Sequence, residues 1–335
     1  KRISNGYWLS TPAQAMWRAD APAKAILFGE HAVLYGAPAI AIAIDLRASI
    51  SVTKSNKWIL NGDEFDPKEN PHLGHLISEF GNLQSPLSIS VDSEIPVAAG
   101  LGSSAALSVA SGLALSSFHG RNVSTETLAR IAHKAEASAQ GGRASPTDTS
   151  VSALGGAVIV NSSIISSLQH RWSVDLDGPD GHKHWDVHSL SIPTSLSSIP
   201  VVIGFTGKPS STSEMVEIVA KNMKNPSFRS SMDKVSELSS DAINLLSEGD
   251  PRTIGEAMTQ CHSLLKNIGV SSKELDDLIE AVLPFSFGAK LTGAGGGGCI
   301  IALSDKPQEC AEAIRDLGGV PYVTSFAENG VKILI

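Results

Sequence analysis

The stretch that decides the fold reads Pro96-Val97-Ala98-Ala99-Gly100-Leu101-Gly102-Ser103-Ser104-Ala105-Ala106 and leads directly into a helix predicted over 103–118. Glycines let a backbone lie close to a ligand, and the start of a helix offers unpaired N–H groups with a partial positive charge. The hydroxyls of Ser103 and Ser104 can bind a phosphate oxygen or a metal ion. The segment is therefore either a phosphate site or a tight strand-to-helix turn capped by serines.

Neither standard nucleotide motif fits this loop well. A Walker A loop ends in Gly-Lys-Ser/Thr, and no lysine follows Gly102. The spacing Gly100-x-Gly102-x-x-Ala105 matches a dinucleotide fingerprint, but Pro96 and several further residues separate the loop from the preceding predicted strand. A nicotinamide-dependent oxidoreductase is therefore only an alternative from another enzyme class.

A second glycine run reads Lys290-Leu291-Thr292-Gly293-Ala294-Gly295-Gly296-Gly297-Gly298-Cys299. It also satisfies the dinucleotide spacing, but the residues after it are strand-like and the required helix is missing. A flexible linker is the plainer interpretation, although linkers rarely lie between two apolar strands. We favour a second wall for phosphate over a purely structural turn.

Composition limits the class of protein. The chain has 335 residues, 42% of them hydrophobic and 18% charged, with a net charge of −8. That length suggests about two domains, and the acidic balance argues against general nucleic-acid binding. No apolar run approaches the ~18 residues of a membrane helix. Three scattered cysteines favour a reducing compartment, so we expect a cytoplasmic protein.

Helices and strands alternate without a strict βαβ order, which favours the α+β class. Residues 1–19 are interpreted as a polar N-terminal extension. Residues 161–197 are rich in serine and histidine and are followed by a fresh apolar strand at 201–205. We therefore place an N-terminal domain at 20–197 and a C-terminal domain at 198–335.

Five residues at four places along the chain could take part in chemistry, and each place has a plainer explanation. Lys24 lies in a small, apolar stretch and either reaches solvent or is held near an anion. The pair Glu30-His31 is a surface turn or points into a pocket. Asp148 could simply cap the following segment. Glu136 lies late in a predicted helix, where the dipole disfavours a carboxylate unless a cation compensates it.

Three histidines, His182, His184 and His188, invite a metal interpretation. They lie in a polar segment predicted to be a hairpin or loop, and no cysteine is nearby. A structural zinc site is therefore disfavoured. A Ser-His-Asp hydrolase is disfavoured as well, because no Gly-x-Ser-x-Gly elbow is present.

Five segments taken together resemble one family in the same order along the chain: Ala21–Lys24, Gly29–Gly36, Pro96–Ala106, Ala144–Thr149 and Lys290–Cys299. They closely resemble the mevalonate kinases of the GHMP kinase superfamily, of the archaeal kind. Two departures stand out, since Ala23 replaces a glycine common in that family and one extra residue lies around 141–143.

The resemblance implies a two-domain α+β fold, with a ribosomal-protein-S5-like N-terminal domain and a ferredoxin-like C-terminal domain. It implies transfer of the γ-phosphoryl group of ATP to the 5-hydroxyl of mevalonate, with magnesium as the metal ion. We expect no membrane or nucleic-acid partner, and a homodimer is compatible with the resemblance. Phosphomevalonate kinase and homoserine kinase are the nearest alternatives within the superfamily.

The resemblance also implies roles for individual residues. Asp148 and Lys24 are the implied catalytic residues, and Ser104 and Glu136 the implied magnesium ligands. The residues implied to bind ATP are Pro96, Ala98, Ala99, Gly100, Leu101, Gly102, Ser103, Ser104, Gly295 and Gly296. Those implied on the substrate side are Glu30, His31, Asp148, Thr292 and Gly293. These roles require the two glycine runs to converge, with positions 24 and 148 close together.

Overall fold

The structure is a computed structural model that describes residues 16–80, 86–179 and 181–334. The extension predicted at 1–19 therefore lies mostly outside the described residues, and its last positions belong to a strand that begins at Trp17. The described strands, β1 to β13 in chain order, are Trp17–Phe28, Ala39–Lys54, Ile59–Leu60, Asp63–Glu64, Leu87–Ser93, Ala157–Asn161, Gln169–Gly178, Gly181–Leu190, Val201–Phe205, Gly288–Thr292, Cys299–Leu303, Val320–Thr324 and Lys332–Leu334. The described α-helices, α1 to α10, are Pro71–Phe80, Ser103–Phe118, Thr125–Ala139, Thr147–Leu154, Thr194–Ser197, Thr212–Asn222, Pro226–Glu248, Pro251–Asn267, Lys273–Val282 and Pro307–Asp316.

The first sheet is built around β2, which pairs with β1, β5 and β6. Its first six residues, 39–44, alternate alanine and isoleucine and are buried on both faces, as expected for a central strand. The pair Asn61-Gly62, between short apolar segments, predicts a hairpin. This is confirmed, since both turn residues have positive φ and the turn joins β3 to β4.

Two predicted helices, α2 and α3, pack beside this sheet. Helix α2 is buried almost all round, because its alanine, serine and glycine side chains let neighbouring elements approach closely. The apolar spacing over 125–139 and the serine just before it predict a second, capped helix. Helix α3 begins at that serine, Ser124, whose hydroxyl accepts a hydrogen bond from the Thr127 N–H at 3.1 Å. Both predictions are confirmed.

The second sheet is fully antiparallel, in the order β10-β11-β9-β12. The spacing after residue 200 predicts strands at 201–205, 289–291, 299–302, 320–324 and 331–335 and helices at 213–223, 230–247, 254–268, 272–282 and 308–317. Each is present within a few residues of its expected bounds, and the first four of these strands form the second sheet. The α+β class is thus confirmed. The predicted domain division places the last strand in the C-terminal domain. In the structure, β13 lies in the first sheet and pairs with β1.

Within the described part of the chain, no helix has the length and apolar character needed to cross a membrane.

Candidate active site

Lys24 projects from β1 next to a β-bulge between Pro22 and Ala23. A bulge redirects the side chains beside it. The Lys24 ammonium lies 3.2 Å from the Asp148 carboxylate and donates to the Gly100 carbonyl oxygen at 3.0 Å. Its side chain is only 5% exposed, whereas that of Asp148 is 32% exposed. The lysine is therefore held at an anion, and the aspartate keeps an open side.

Asp148 lies within the first turn of α4, whereas the plainer explanation from the sequence was that it caps the segment that follows. A carboxylate is favoured at a helix N-terminus by the exposed N–H groups. The start of α2 lies beside it, since a Cβ built on Gly102 would come within 3.6 Å of the Asp148 carboxylate. Two helix N-termini thus surround the Lys24–Asp148 pair.

The first glycine run turns its backbone sharply. Positive φ angles occur at Ala98, Gly100 and Gly102, at 55°, 80° and 71°. Such alternation points successive N–H groups into one concave surface, which suits anions. The loop is tied to β1 by the hydrogen bond from the Lys24 N–H to the Leu101 carbonyl oxygen, at 3.0 Å. Pro96, Ser103 and Ser104 complete the loop and remain partly accessible.

The two glycine runs converge, as predicted. A Cβ built on Gly293 would lie 3.3 Å from the Gly100 carbonyl oxygen, and one on Gly298 would lie 3.0 Å from that of Ala99. Ser210 bridges both runs, because its N–H donates to Ala98 and its hydroxyl donates to Gly295, at 3.1 and 2.7 Å. Only residues without side chains allow so close an approach.

The second run also decides against the dinucleotide interpretation. It connects β10 to β11, which pair antiparallel from Gly288 to Leu303, and no helix begins at its end. A dinucleotide fingerprint needs a helix there to hold the pyrophosphate. The nicotinamide-dependent alternative is therefore wrong for this segment.

Glu136 lies near Ser104, whose hydroxyl hydrogen-bonds to its carboxylate. Burial raises the pKa of Glu136 to about 7, and the nearby Asp148 charge acts in the same direction. Its Oε1 is buried without a hydrogen-bond partner among the described residues, and His72 Nδ1 is the nearest imidazole nitrogen at 3.7 Å. A buried carboxylate oxygen left without a partner is the kind of group that a cation would satisfy.

Two residues predicted on the substrate side are engaged elsewhere. The Glu30 carboxylate forms a fully buried ion pair with Lys290, a residue that the sequence did not mark as functional. The Thr292 hydroxyl accepts from the Ile26 N–H at 2.8 Å and donates to the Ile26 carbonyl oxygen at 3.1 Å. These contacts engage the Thr292 hydroxyl and Glu30 Oε1, whereas Glu30 Oε2 has no hydrogen-bond partner among the described residues. They favour a positioning role for both residues, and direct contact of Glu30 and Thr292 with the substrate stays a prediction.

His31 lies against the second glycine run. Its Nε2 contacts the Ala294 carbonyl oxygen at 2.8 Å, and burial lowers its pKa. A neutral imidazole that donates from Nε2 retains Nδ1 as an acceptor. Gly293 packs against Gly100, whose carbonyl oxygen accepts a hydrogen bond from the Lys24 ammonium.

A cavity of about 280 Å³ lies beside the start of α1, lined among others by Asn61, Asn70, His72, Val91 and Leu107. Leu107 is one helical turn beyond Ser103 on α2, so the cavity adjoins the first glycine run. Neither α1 nor this cavity was predicted from the sequence. The spacing of Leu73, Leu76 and Phe80 is the signal that could have indicated the helix.

The histidine-rich segment forms the β7–β8 hairpin, and His182 and His184 pair with aspartates. His184 contacts Asp175 at 2.8 Å and His182 contacts Asp177 at 2.9 Å. His188 accepts from the Ile165 N–H at 3.1 Å. In residues 16–80, 86–179 and 181–334, no group of three or more His, Cys, Asp or Glu side chains is arranged to hold a metal ion.

Comparison with known proteins gives the family. The family model described as GHMP kinases N terminal domain matches residues 72–156, and that described as GHMP kinases C terminal matches residues 242–320. The chain is 35% identical to the mevalonate kinase of Thermococcus onnurineus (strain NA1), over 94% of this chain and 97% of that protein.

Solved structures agree with this. The crystal structure of the Methanococcus jannaschii mevalonate kinase matches with a TM-score of 0.75 at 25% identity, covering 95% of this chain and 99% of that chain. L. major mevalonate kinase in complex with R-mevalonate matches in fold, with a TM-score of 0.74 at 21% identity over 96% and 100% of the two chains. Since the likeness in sequence and fold spans nearly the whole of each chain, this chain belongs to the mevalonate kinase family of the GHMP kinases.

Proposed function

We propose that the chain transfers the γ-phosphoryl group of ATP to the 5-hydroxyl of mevalonate. The observation that carries the proposal is the Lys24–Asp148 ion pair at 3.2 Å, placed where two helix N-termini and two glycine runs meet. Phosphoryl transfer depends on alignment and on compensation of negative charge more than on covalent chemistry. This arrangement supplies both, because backbone N–H groups, a lysine and a carboxylate converge there.

The triphosphate would lie along the first glycine run, from Ala98 to Ser104. Its nucleoside would extend into the neighbouring cavity of about 280 Å³, where Val91 and Leu107 offer apolar walls and Asn61 and Asn70 offer polar groups. The second run, at Gly295 and Gly296, would cover the phosphates from the opposite side. In this pose, the close contact between the two glycine runs limits how deeply the phosphates can enter the site.

Magnesium would be held by Glu136 and Ser104. The unpartnered Glu136 Oε1 fits a cation, and magnesium in nucleotide sites is normally bound by one or two protein oxygens plus phosphates. When bound, the ion neutralises phosphate charge. The carboxylate of Glu136 must be deprotonated to serve as a ligand.

Asp148 would accept or orient the proton of the attacking hydroxyl, since its carboxylate is the more open partner of the ion pair. Lys24 would hold Asp148 in its rotamer and face the transferring phosphoryl group. The free Nδ1 of His31 would accept from a substrate hydroxyl. Gly293 would line the acceptor side, whereas Glu30 and Thr292 would act through the elements they join. Cytoplasmic location and a homodimer remain predictions from the sequence.

The direct test is an assay of ADP release with magnesium and ATP. Parallel reactions contain mevalonate, phosphomevalonate, homoserine or no acceptor. We expect turnover with mevalonate and formation of 5-phosphomevalonate, identified by mass spectrometry. Turnover with another acceptor only would move the activity elsewhere in the superfamily.

Asp148→Asn tests the role of the carboxylate. We expect ATP affinity close to that of the parent and turnover lower by roughly two to four orders of magnitude. Asp305→Asn, a change of the same kind at an exposed position, is the control and should leave both quantities unchanged. Equal turnover in Asp148→Asn and parent would remove Asp148 from the reaction.

A further inference from the structure

The end of β10 and a residue just beyond it contact the first half of the molecule. Lys290 pairs with Glu30, the Thr292 hydroxyl bonds both to the Ile26 N–H and to its carbonyl oxygen, and the Ala294 carbonyl oxygen contacts His31. Lys290 and Thr292 are alternate residues of β10 and share a face, whereas Ala294 lies two residues beyond the strand and contributes its backbone carbonyl oxygen. The three contacts therefore follow one another along a single segment. We call Lys290, Thr292 and Ala294 the β10 seam.

The ion pair in the seam is poorly explained as a source of stability. The side chains of Lys290 and Glu30 are 0% and 1% exposed. Burying two charges costs about as much as their attraction returns, so apolar residues often serve equally well at such a place. Moreover, Glu30 Oε2 is buried without a hydrogen-bond partner in the described residues, which adds to the cost. What the pair does supply is a fixed direction and distance between two elements.

Those two elements both carry residues of the candidate site. Ile26 lies two residues after Lys24 on β1, and His31 directly follows Glu30. On the other side, Thr292 and Ala294 flank Gly293, which packs against Gly100. A shift along the seam would therefore move the lysine and histidine relative to the second glycine run.

We propose that the β10 seam is a positioning device, in which Lys290 and Thr292 hold β1 and its following turn in register with the second glycine run. The inference rests on the proposed function for its kinetic consequence, and it adds Lys290 to the residues that matter for the reaction. Lys290 and Thr292 act through Lys24, His31 and the glycine run and do not contact the reacting atoms.

Thr292→Val is the first variant, because it replaces the hydroxyl by a methyl group of similar size and removes both bonds to Ile26. Thr292→Ser keeps the hydroxyl and serves as the conservative rescue. Thr259→Val is the matched control: the Thr259 hydroxyl contacts the N–H of Ala289 on β10 at 3.3 Å, but from α8 within the second half. The double variant Glu30→Gln/Lys290→Met removes both buried charges together and avoids leaving one unpaired.

We expect Thr292→Val to lower kcat at least tenfold, with the Kd of a non-hydrolysable ATP analogue within about twofold of the parent. Thr292→Ser should recover most of kcat, and Thr259→Val should retain it. The double variant should behave like Thr292→Val. Parental kcat and acceptor KM in folded Thr292→Val would overturn the proposal, whether or not the double variant folds.

Hydrogen exchange separates this inference from the proposed function, because it needs no activity. Peptides covering 24–32 and 291–298 should exchange at least tenfold faster in Thr292→Val than in the parent, with the second sheet unaffected. If the parent phosphorylates no mevalonate, the proposed function fails, but the exchange result still tests whether the β10 seam holds these two segments in place. Unchanged exchange in those peptides would refute the seam even in an active enzyme.

Discussion

Gly102→Ala probes the packing on which the site depends. Gly102 lies at the start of α2 with a φ of 71°, and a Cβ at this position would lie 2.8 Å from Lys24 Cγ. Ordinary contact begins at 3.4 Å. The lysine cannot simply swing away, because its ammonium is held by Gly100 at 3.0 Å and by Asp148 at 3.2 Å.

The expected magnitude has two parts. An alanine in the left-handed region costs about 1–2 kcal/mol, which should lower the melting temperature by about 2–4 °C. Restoring contact distance requires Lys24 Cγ to move from 2.8 Å to at least 3.4 Å. Misplacement of a positioned group by about 1 Å can cost about 10²-fold in rate, so roughly half that shift predicts about a tenfold lower kcat.

Gly120→Ala is the matched control for backbone strain. Gly120 follows the other end of α2 with a φ of 66°, and no described atom lies within 4 Å of its built Cβ. The assay is ADP release at saturating ATP and mevalonate, with thermal unfolding recorded for both variants. We expect similar losses of stability but a lower kcat only in Gly102→Ala.

Equal kcat in the two alanine variants would refute this reasoning, because the strain would then be the whole effect and Lys24 would tolerate displacement. A large loss of nucleotide affinity in Gly102→Ala, without a loss of kcat, would also contradict it. In that case Gly102 would be needed for phosphate binding and not for the position of Lys24.

Two further predictions follow from buried titratable groups. The pKa of Glu136 is about 7 in the free protein, and its carboxylate must be deprotonated to bind magnesium. Magnesium-dependent binding of an ATP analogue, measured by calorimetry, should therefore weaken about tenfold per pH unit below pH 7 and level off above it. A Glu136→Gln variant that keeps this pH dependence would contradict the assignment. Burial raises the pKa of both Cys261 and Cys299 to about 12, so a thiol reagent at neutral pH should label neither until the protein is unfolded. Rapid native labelling of Cys299 would mean that the end of the second glycine run opens.

The sequence predicted the parts of the site that depend on backbone shape. Glycine runs can be interpreted from the sequence because few other residues allow a backbone to turn at positive φ or to approach another segment closely. The contact between Gly100 and Gly293 is an example. The closeness of Lys24 and Asp148 was implied by the family resemblance, since the local pattern around Lys24 allowed either solvent or a nearby anion.

Side-chain direction was much harder to predict. Nothing in the local pattern around Glu30 or Thr292 says whether these groups face the cleft or the neighbouring β10, because their partners lie 260 or more residues away along the chain. The same holds for β13, whose pairing with β1 is set by the return of the chain and not by its own three residues. The sequence alone therefore left open which distant residues and strands contact each other.

The charge balance of the site follows from the fold. The chain carries a net charge of −8, yet the proposed triphosphate site contains Lys24 as its central ammonium and two carboxylates, Glu136 and Asp148. The remaining attraction for phosphate must come from dipoles, namely the first turns of α2 and α4 and the N–H groups of the first glycine run. Fixed dipoles act only on a ligand placed directly against them, since their effect falls off within about one helical turn. The site can thus hold a phosphate chain without a broad basic surface, provided that the contacts between the glycine runs and the β10 seam keep these dipoles in place.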